Sequence, residues 1–446
     1  MATLYWYFLK KRRYKNNFIG IIMNLTQSSK KSVFISVYLA NMVSSYNFFI
    51  TASLLVYMHP YFDVNNSFWF YIVINLAFFT NWIMCPLGAL FFGYIGDTYG
   101  RKPALLISIF GMSASMLFLS ILPNSHSILV LAPILLTLLR GFQGFCWGGQ
   151  SGSNVFVLEH FKNYKPGFIN ACLMTSYGIG TLLSYLVGLY FLSSPVSEGQ
   201  WRLCYFVGAF LGFIGFYIQY YIPDTATFLK EKHNKASFSL LKIWQTRKYS
   251  IIAIVLCVGF EASITYFQKP YISKFLLWKN LDMSSTIIFA SLSAFGTLIC
   301  CVAAGFACDR KGLHFVLNSI IIFSLLCIFP LYYLISIEIW TIIIVNFVVL
   351  YIIIGSLLGT ISYFVIRLFP VSQRYTAVTF LVVSANALWH LFKTYLPKYN
   401  TYLYDTSPSQ TMTVPLFPVC CVFIMGLFLL IFLSQYRQKM TFFDDK

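Results

Sequence analysis

Twelve apolar segments follow one another along the chain, near residues 33–58, 68–93, 103–122, 128–158, 166–192, 201–222, 249–270, 284–307, 313–335, 339–361, 376–396 and 413–434. A helix needs about 20 apolar residues to cross the hydrocarbon core of a bilayer. The pattern therefore predicts an all-α membrane protein with 12 transmembrane helices. The longest polar interior stretch, 223–248, falls between the sixth and seventh segments. The chain divides six plus six: an N-terminal half at 33–222, a cytoplasmic linker at 223–248 and a C-terminal half at 249–434, flanked by a basic arm at 1–32 and a tail at 435–446. Of the 446 residues 10% are charged and 59% hydrophobic, whereas a soluble domain carries about 25% charge. A soluble globule is excluded.

The formal net charge of +18 invites a nucleic-acid reading, but the cations sit in short loops between apolar spans. That placement orients a membrane protein. With the N-terminus inside, the inner segments carry 24 of the 31 Lys and Arg residues. The outer loops carry three, Lys274, Lys279 and Lys398, and four more (Arg140, Arg202, Lys269 and Lys393) lie within or at the ends of spans. Both termini are predicted cytoplasmic. The cluster Lys10-Lys11-Arg12-Arg13 allows two readings, an amphipathic arm on anionic lipid or a translation start at Met23 that leaves these residues out.

Eleven cysteines form no CxxC pair, and six histidines are scattered without metal-ligand spacing. The cysteines read as buried apolar thiols, and no cofactor is predicted. There is no Walker lysine and no complete nucleophile elbow, since Gly149-Gln150-Ser151-Gly152 lacks the pattern and falls in a predicted helix. An enzyme is the least supported class.

Two loops at matching places in the halves share a pattern. Gly93-Tyr94-Ile95-Gly96-Asp97-Thr98-Tyr99-Gly100-Arg101-Lys102 follows the second span, and Gly305-Phe306-Ala307-Cys308-Asp309-Arg310-Lys311-Gly312 follows the eighth. Gly93 and Gly96 permit close approach of helix ends. Asp97 can bond a neighbouring helix N-terminus or pair with a cation across the halves, and Arg101 and Lys102 hold the loop inside. The pair resembles the loop signature of the major facilitator superfamily, whose fold is two pseudo-symmetric six-helix halves. That family usually has arginine directly after the aspartate. Here Thr98 follows Asp97 while Arg310 follows Asp309, so the first latch is expected to be the weaker.

A closer resemblance rests on three further stretches. They are Arg140-Gly141-Phe142-Gln143-Gly144-Phe145-Cys146-Trp147-Gly148-Gly149-Gln150 with Leu158-Glu159-His160, then Ile222-Pro223-Asp224, then Leu368-Phe369-Pro370 with Arg374-Tyr375-Thr376 and Asn386. Taken in order, these resemble the metabolite:proton symporter family, which includes proline/betaine transporters and permeases for 2-oxoglutarate and citrate. The resemblance implies a secondary transporter of a small polar organic solute in the bacterial inner membrane, monomeric, with lipid and, where transport is coupled, protons as its other partners. It also implies a cytoplasmic gate at Asp97, Arg101, Glu159, Asp309, Arg310 and Arg374. Substrate-lining candidates are Tyr46, Asn47, Arg140, Gln143, Gln150 and Asn386. An arginine as deep as Arg140 costs several kcal/mol unless it faces a cavity or partner. It can bind a carboxylate bidentately, or else bond backbone carbonyls in a purely structural role.

The pattern breaks where the family titrates. Ser44 and Asn47 stand where the family places Glu and Asp in its first span, and Gln150 stands for the Glu of Gly-Gly-Glu. These neutral residues cannot gain or lose a proton. Coupling candidates that remain are Glu261, in the seventh span, and His390, in the eleventh. The alternatives are an uncoupled facilitator or exchanger, or a non-transporting receptor or decayed paralogue.

Overall fold

In lipid a backbone must satisfy its own hydrogen bonds, and an apolar segment of this length does so as a helix. The computed structural model describes residues 30–62, 67–161, 164–193, 200–222, 224, 240–266, 283–335, 340–406 and 416–436. Among them are fourteen helices and no strand. Twelve have 20 residues or more: α1 (Lys30–Phe62), α2 (Ser67–Thr98), α3 (Arg101–Ser120), α4 (Leu131–Gln150), α5 (Pro166–Ser193), α6 (Trp201–Tyr220), α7 (Leu240–Tyr266), α8 (Met283–Lys311), α9 (Leu313–Ile335), α10 (Trp340–Arg367), α11 (Val371–Thr406) and α12 (Leu416–Tyr436). Eight of these are long and apolar enough to cross a membrane. The four others are α4, α5, α8 and α11.

Helix pairing repeats with an offset of six. In the first half α1 packs on α5, α2 on α4 and α3 on α6; in the second α7 packs on α11, α8 on α10 and α9 on α12. The halves meet through α5 against α8 and α2 against α11, which the same offset interchanges. Large apolar side chains stay exposed on the outer faces, among them Phe110, Leu138, Leu203, Phe210, Leu326 and Phe428. Such a surface is a liability in water and the expected one in lipid.

Lipid supplies no hydrophobic drive between helices, so close packing of small residues joins them. On α4, a Cβ added to Gly144 would lie 2.0 Å from the backbone oxygen of Asn81 on α2. Gly144→Ala is therefore expected to separate the two backbones, and gel filtration of the purified variant should show loss of the monodisperse protein.

Three boundaries differ from the sequence prediction. The fourth span, predicted at 128–158, ends at Gln150; residues Ser151 and Gly152 form a turn and a short helix, Ser153–His160, follows. The stretch containing Gly149-Gln150-Ser151-Gly152 is thus a helix end rather than a helix interior. The helix of the seventh span starts at Leu240, inside the stretch read as linker, and breaks at Arg247 (φ −127°, ψ 24°) before continuing. Helix α11 runs to Thr406, so Lys398 lies in a helix. The basic cluster at 10–13, Met23, Lys269, Lys274, Lys279, most of the linker and nearly all of the tail lie outside the described residues.

Candidate functional site

The repeated loops fall on one face and tie the halves together there. Asp97, at the end of α2, accepts bonds through Oδ2 from the backbone N–H of Thr376 (2.9 Å) and from its hydroxyl (2.5 Å), near the start of α11. Asp309, at the end of α8, accepts bonds through Oδ1 from the Gly167 N–H and through Oδ2 from the Phe168 N–H, both 2.8 Å, at the start of α5. First-turn amides have no intrahelical acceptor, and Pro166 in the first position has no N–H to satisfy. Asp309 therefore caps a helix of the opposite half, where the helix dipole also favours its charge. A third acid on this face does the same within one half: Asp224 accepts the Lys102 N–H (3.3 Å) at the start of α3.

The two latches are built differently, and in the first a residue other than position 98 supplies the cation. The cation serving Asp97 is Arg101, four residues on at the first position of α3, with Nη1 2.6 Å from Oδ1. Arg101 is only 1% exposed, and its Nη2 donates to the Val371 oxygen of α11 (2.8 Å) and lies 3.4 Å from Glu159. Nη1 also donates to the Gly96 oxygen (2.6 Å). Thr98 is turned aside, its hydroxyl on the Tyr94 oxygen. Arg310 is exposed, 4.2 Å above the Phe306 ring. The first copy thus carries a buried ion network, and the second relies on helix amides. Arg374 is buried and donates from Nε to the Phe369 oxygen (3.0 Å), within the turn that leads into α11.

Between the latches lies Tyr375, fully buried. A Cβ on Gly96 would stand 2.3 Å from its ring and one on Gly152 2.1 Å. The glycines hollow out a socket, and the Tyr375 hydroxyl donates to the Gly149 oxygen (3.3 Å). The break after α4 makes room for this ring. A further link joins the Asn154 amide to the Ser362 hydroxyl (3.0 Å), which reaches Asn170 on α5 (3.2 Å).

Deeper in the first half the neutral residues form two clusters. Arg140, 1% exposed, donates to the Phe48 oxygen on α1 (3.3 Å) and to the Gln143 side chain. Gln143 donates to the Asn47 oxygen (2.7 Å), and the Asn47 amide to the Gly208 oxygen on α6 (3.3 Å). Gln150 donates to Asn41 (2.9 Å) and accepts from Ser108 (3.2 Å). Ser44 is buried nearby on α1. Arg140 thus makes the carbonyl contact of a structural arginine. The Tyr46 ring lies beside Gly208, near the Asn47 amide, and its hydroxyl donates to the Cys204 oxygen of α6 (3.2 Å).

A set of rings lies where the halves meet. Phe48 stacks on Trp147 of α4 (4.6 Å) and meets Trp82 of α2 edge-on (5.2 Å). Tyr177 of α5 meets Trp147 edge-on (5.7 Å), and Trp82 stacks on His390 of α11 (3.9 Å). Trp82, Trp147, Tyr177 and His390 are all half-buried, as is Asn386 one turn before His390. Glu261 is half-buried on α7. Sequence reasoning gave no role to Trp82, Trp147, Tyr177 or Tyr375, although Trp147 and Tyr375 stand within the stretches that carry the family resemblance. All eleven cysteines are free thiols, and among the described residues no His, Cys, Asp and Glu cluster could hold a metal ion.

The fold and sequence have counterparts. The glycine betaine/proline/ectoine/pipecolic acid transporter OusA of Dickeya dadantii is 27% identical over 81% of this chain and 75% of its own. The proline/betaine transporter of Escherichia coli K12 is 27% identical over 79% of this chain and 72% of its own. The solved structure of the proton:xylose symporter XylE superposes with a TM-score of 0.70 at 14% identity, over 92% of this chain and 96% of the other. The family model of the Major Facilitator Superfamily matches residues 37–392, and with latches from both halves meeting on one face, the chain belongs to that superfamily.

Proposed function

We propose that this chain is a secondary transporter that carries a small polar organic solute across a bacterial inner membrane by alternating access. In this reading it has twelve spans, acts as a monomer, and places both termini and the latched face in the cytoplasm. The observation that carries it is the pair of latches: Asp97 on Thr376 and Asp309 on Gly167 and Phe168 join the halves through a few polar contacts at related positions. Few, exchangeable contacts on one face suit halves that rock about a central site. The solutes named for OusA share an amine-derived nitrogen close to a carboxylate. Trp147, Trp82 and Tyr177 offer π faces to a cation, while Asn386 and His390 offer polar contacts beside them.

Proton coupling through Glu261 with His390 is one version of this mechanism. A specific observation favours the other version, an uncoupled facilitator or exchanger. The Asn47 and Gln150 amides each donate a hydrogen bond, to Gly208 and Asn41. An ionised carboxylate cannot donate, so these two positions are built for neutral side chains. Radiolabelled uptake of betaine, proline, 2-oxoglutarate and citrate into proteoliposomes, with and without a pH gradient, tests both. Uptake of a zwitterion that the gradient leaves unchanged is expected. Gradient-driven accumulation abolished by Glu261→Gln, with exchange spared, would establish the coupled version. Solute-induced stabilisation without flux would show a receptor.

A further inference from the structure

On the latched face a cleft of about 530 Å³ opens between the α8–α9 turn and the end of α10. Its lining includes Lys311, His314 and Arg367 and, among the described residues, contains no carboxylate. Asp309, the nearest acid in sequence, faces the other way and binds two amides of α5. Gly312 makes the turn at φ +87°, and a Cβ there would meet nothing within 4 Å. The first turn of α9 enters the cleft at Leu313, and its dipole adds positive potential. These features suit an anionic oxygen cluster.

The cleft is also apolar on one side, which decides between occupants. Phe315 and Ile322 line it and are 61% and 49% exposed. The same face of α9 continues to Leu326, which is 70% exposed. A cationic mouth thus leads onto an apolar stripe running along the helix towards the bilayer interior. Free phosphate would use only the mouth. We infer that the cleft holds the headgroup of an anionic phospholipid from the leaflet on this face, with an acyl chain laid along Phe315, Ile322 and Leu326. Basic pockets between transmembrane helices bind anionic lipid in this way. The site lies apart from the central clusters and does not depend on which solute is carried.

The test is native mass spectrometry of the full-length purified chain with dioleoyl phosphatidylglycerol, dioleoyl phosphatidylcholine or inorganic phosphate. Phosphatidylglycerol should be retained about 25-fold over phosphatidylcholine, about fivefold from each of Lys311 and Arg367. Lys311→Gln with Arg367→Gln should weaken that retention by about fivefold for each cation removed. Lys30→Gln with Lys31→Gln removes the same charge from exposed positions and should change it less than twofold. Ser319→Trp fills the cleft without altering charge and should also abolish the preference, independently of the double variant. Equal retention of the two lipids, an equal loss in the Lys30/Lys31 control, or competition by inorganic phosphate would each overturn the assignment.

Discussion

Arg101→Gln is expected to open the latched face. Arg101 lies among two buried carboxylates, with the Asp97 and Glu159 side chains 6% and 1% exposed. It also donates across the halves to the Val371 oxygen. Removing one member of a buried ion network while leaving the others costs about 3–5 kcal/mol. That cost falls on the closed arrangement; once the face opens, water reaches the two acids. The ratio of closed to open should therefore drop by about two to three and a half powers of ten. Cys308, 4% exposed next to Asp309, reports the opening. Its alkylation by a membrane-impermeant maleimide, followed by peptide mass spectrometry, should accelerate at least tenfold as uptake falls. Unchanged Cys308 labelling in a folded Arg101→Gln protein would refute the role. Thr98→Arg, which restores the usual cation after the aspartate, should alter uptake less than twofold because Arg101 already occupies Oδ1 of Asp97.

The contrast between these variants shows what could be read from the sequence. Apolar segments of spanning length are a local property, so the twelve long helices and their sixfold offset were visible in the order of residues. Asp97 and Asp309 were visible too, because a loop repeated in both halves points to the same work in each. Their partners were not. A cation in a short loop looks like a topology signal, and nothing local distinguishes the buried Arg101 from the exposed Arg310. The end of α4 at Gln150 depends on the Tyr375 ring from the other half, and no periodicity within the fourth span carries that information. Tyr46 and Asn47 are neighbours on α1 and both bond α6, but through different atoms: the Tyr46 hydroxyl to Cys204 and the Asn47 amide to Gly208. Which ring faces the space between the halves is decided by packing. Phe48 and Trp147 occupy that position.

Trp147→Leu is expected to weaken binding of a betaine-like solute by about 30-fold, equivalent to the loss of about 2 kcal/mol of desolvated cation–π attraction. This prediction rests on the proposed substrate class. The Trp147 ring stacks on Phe48, touches Tyr177 edge-on and keeps accessible surface in the middle of the molecule. Leucine keeps apolar bulk but has no ring quadrupole, so packing is largely preserved while the attraction to a cation is lost. Trp147→Phe retains a π face of lower strength and should fall between the two. Scintillation proximity binding of labelled betaine to detergent-purified protein measures this series without requiring transport. A graded order of Trp, Phe and Leu identifies a cation on the ring. Equal affinities for all three, in variants that elute as the parent does, would remove the ring from the site. The solute would have to be sought against the half-buried face of α11 that carries Asn386 and His390.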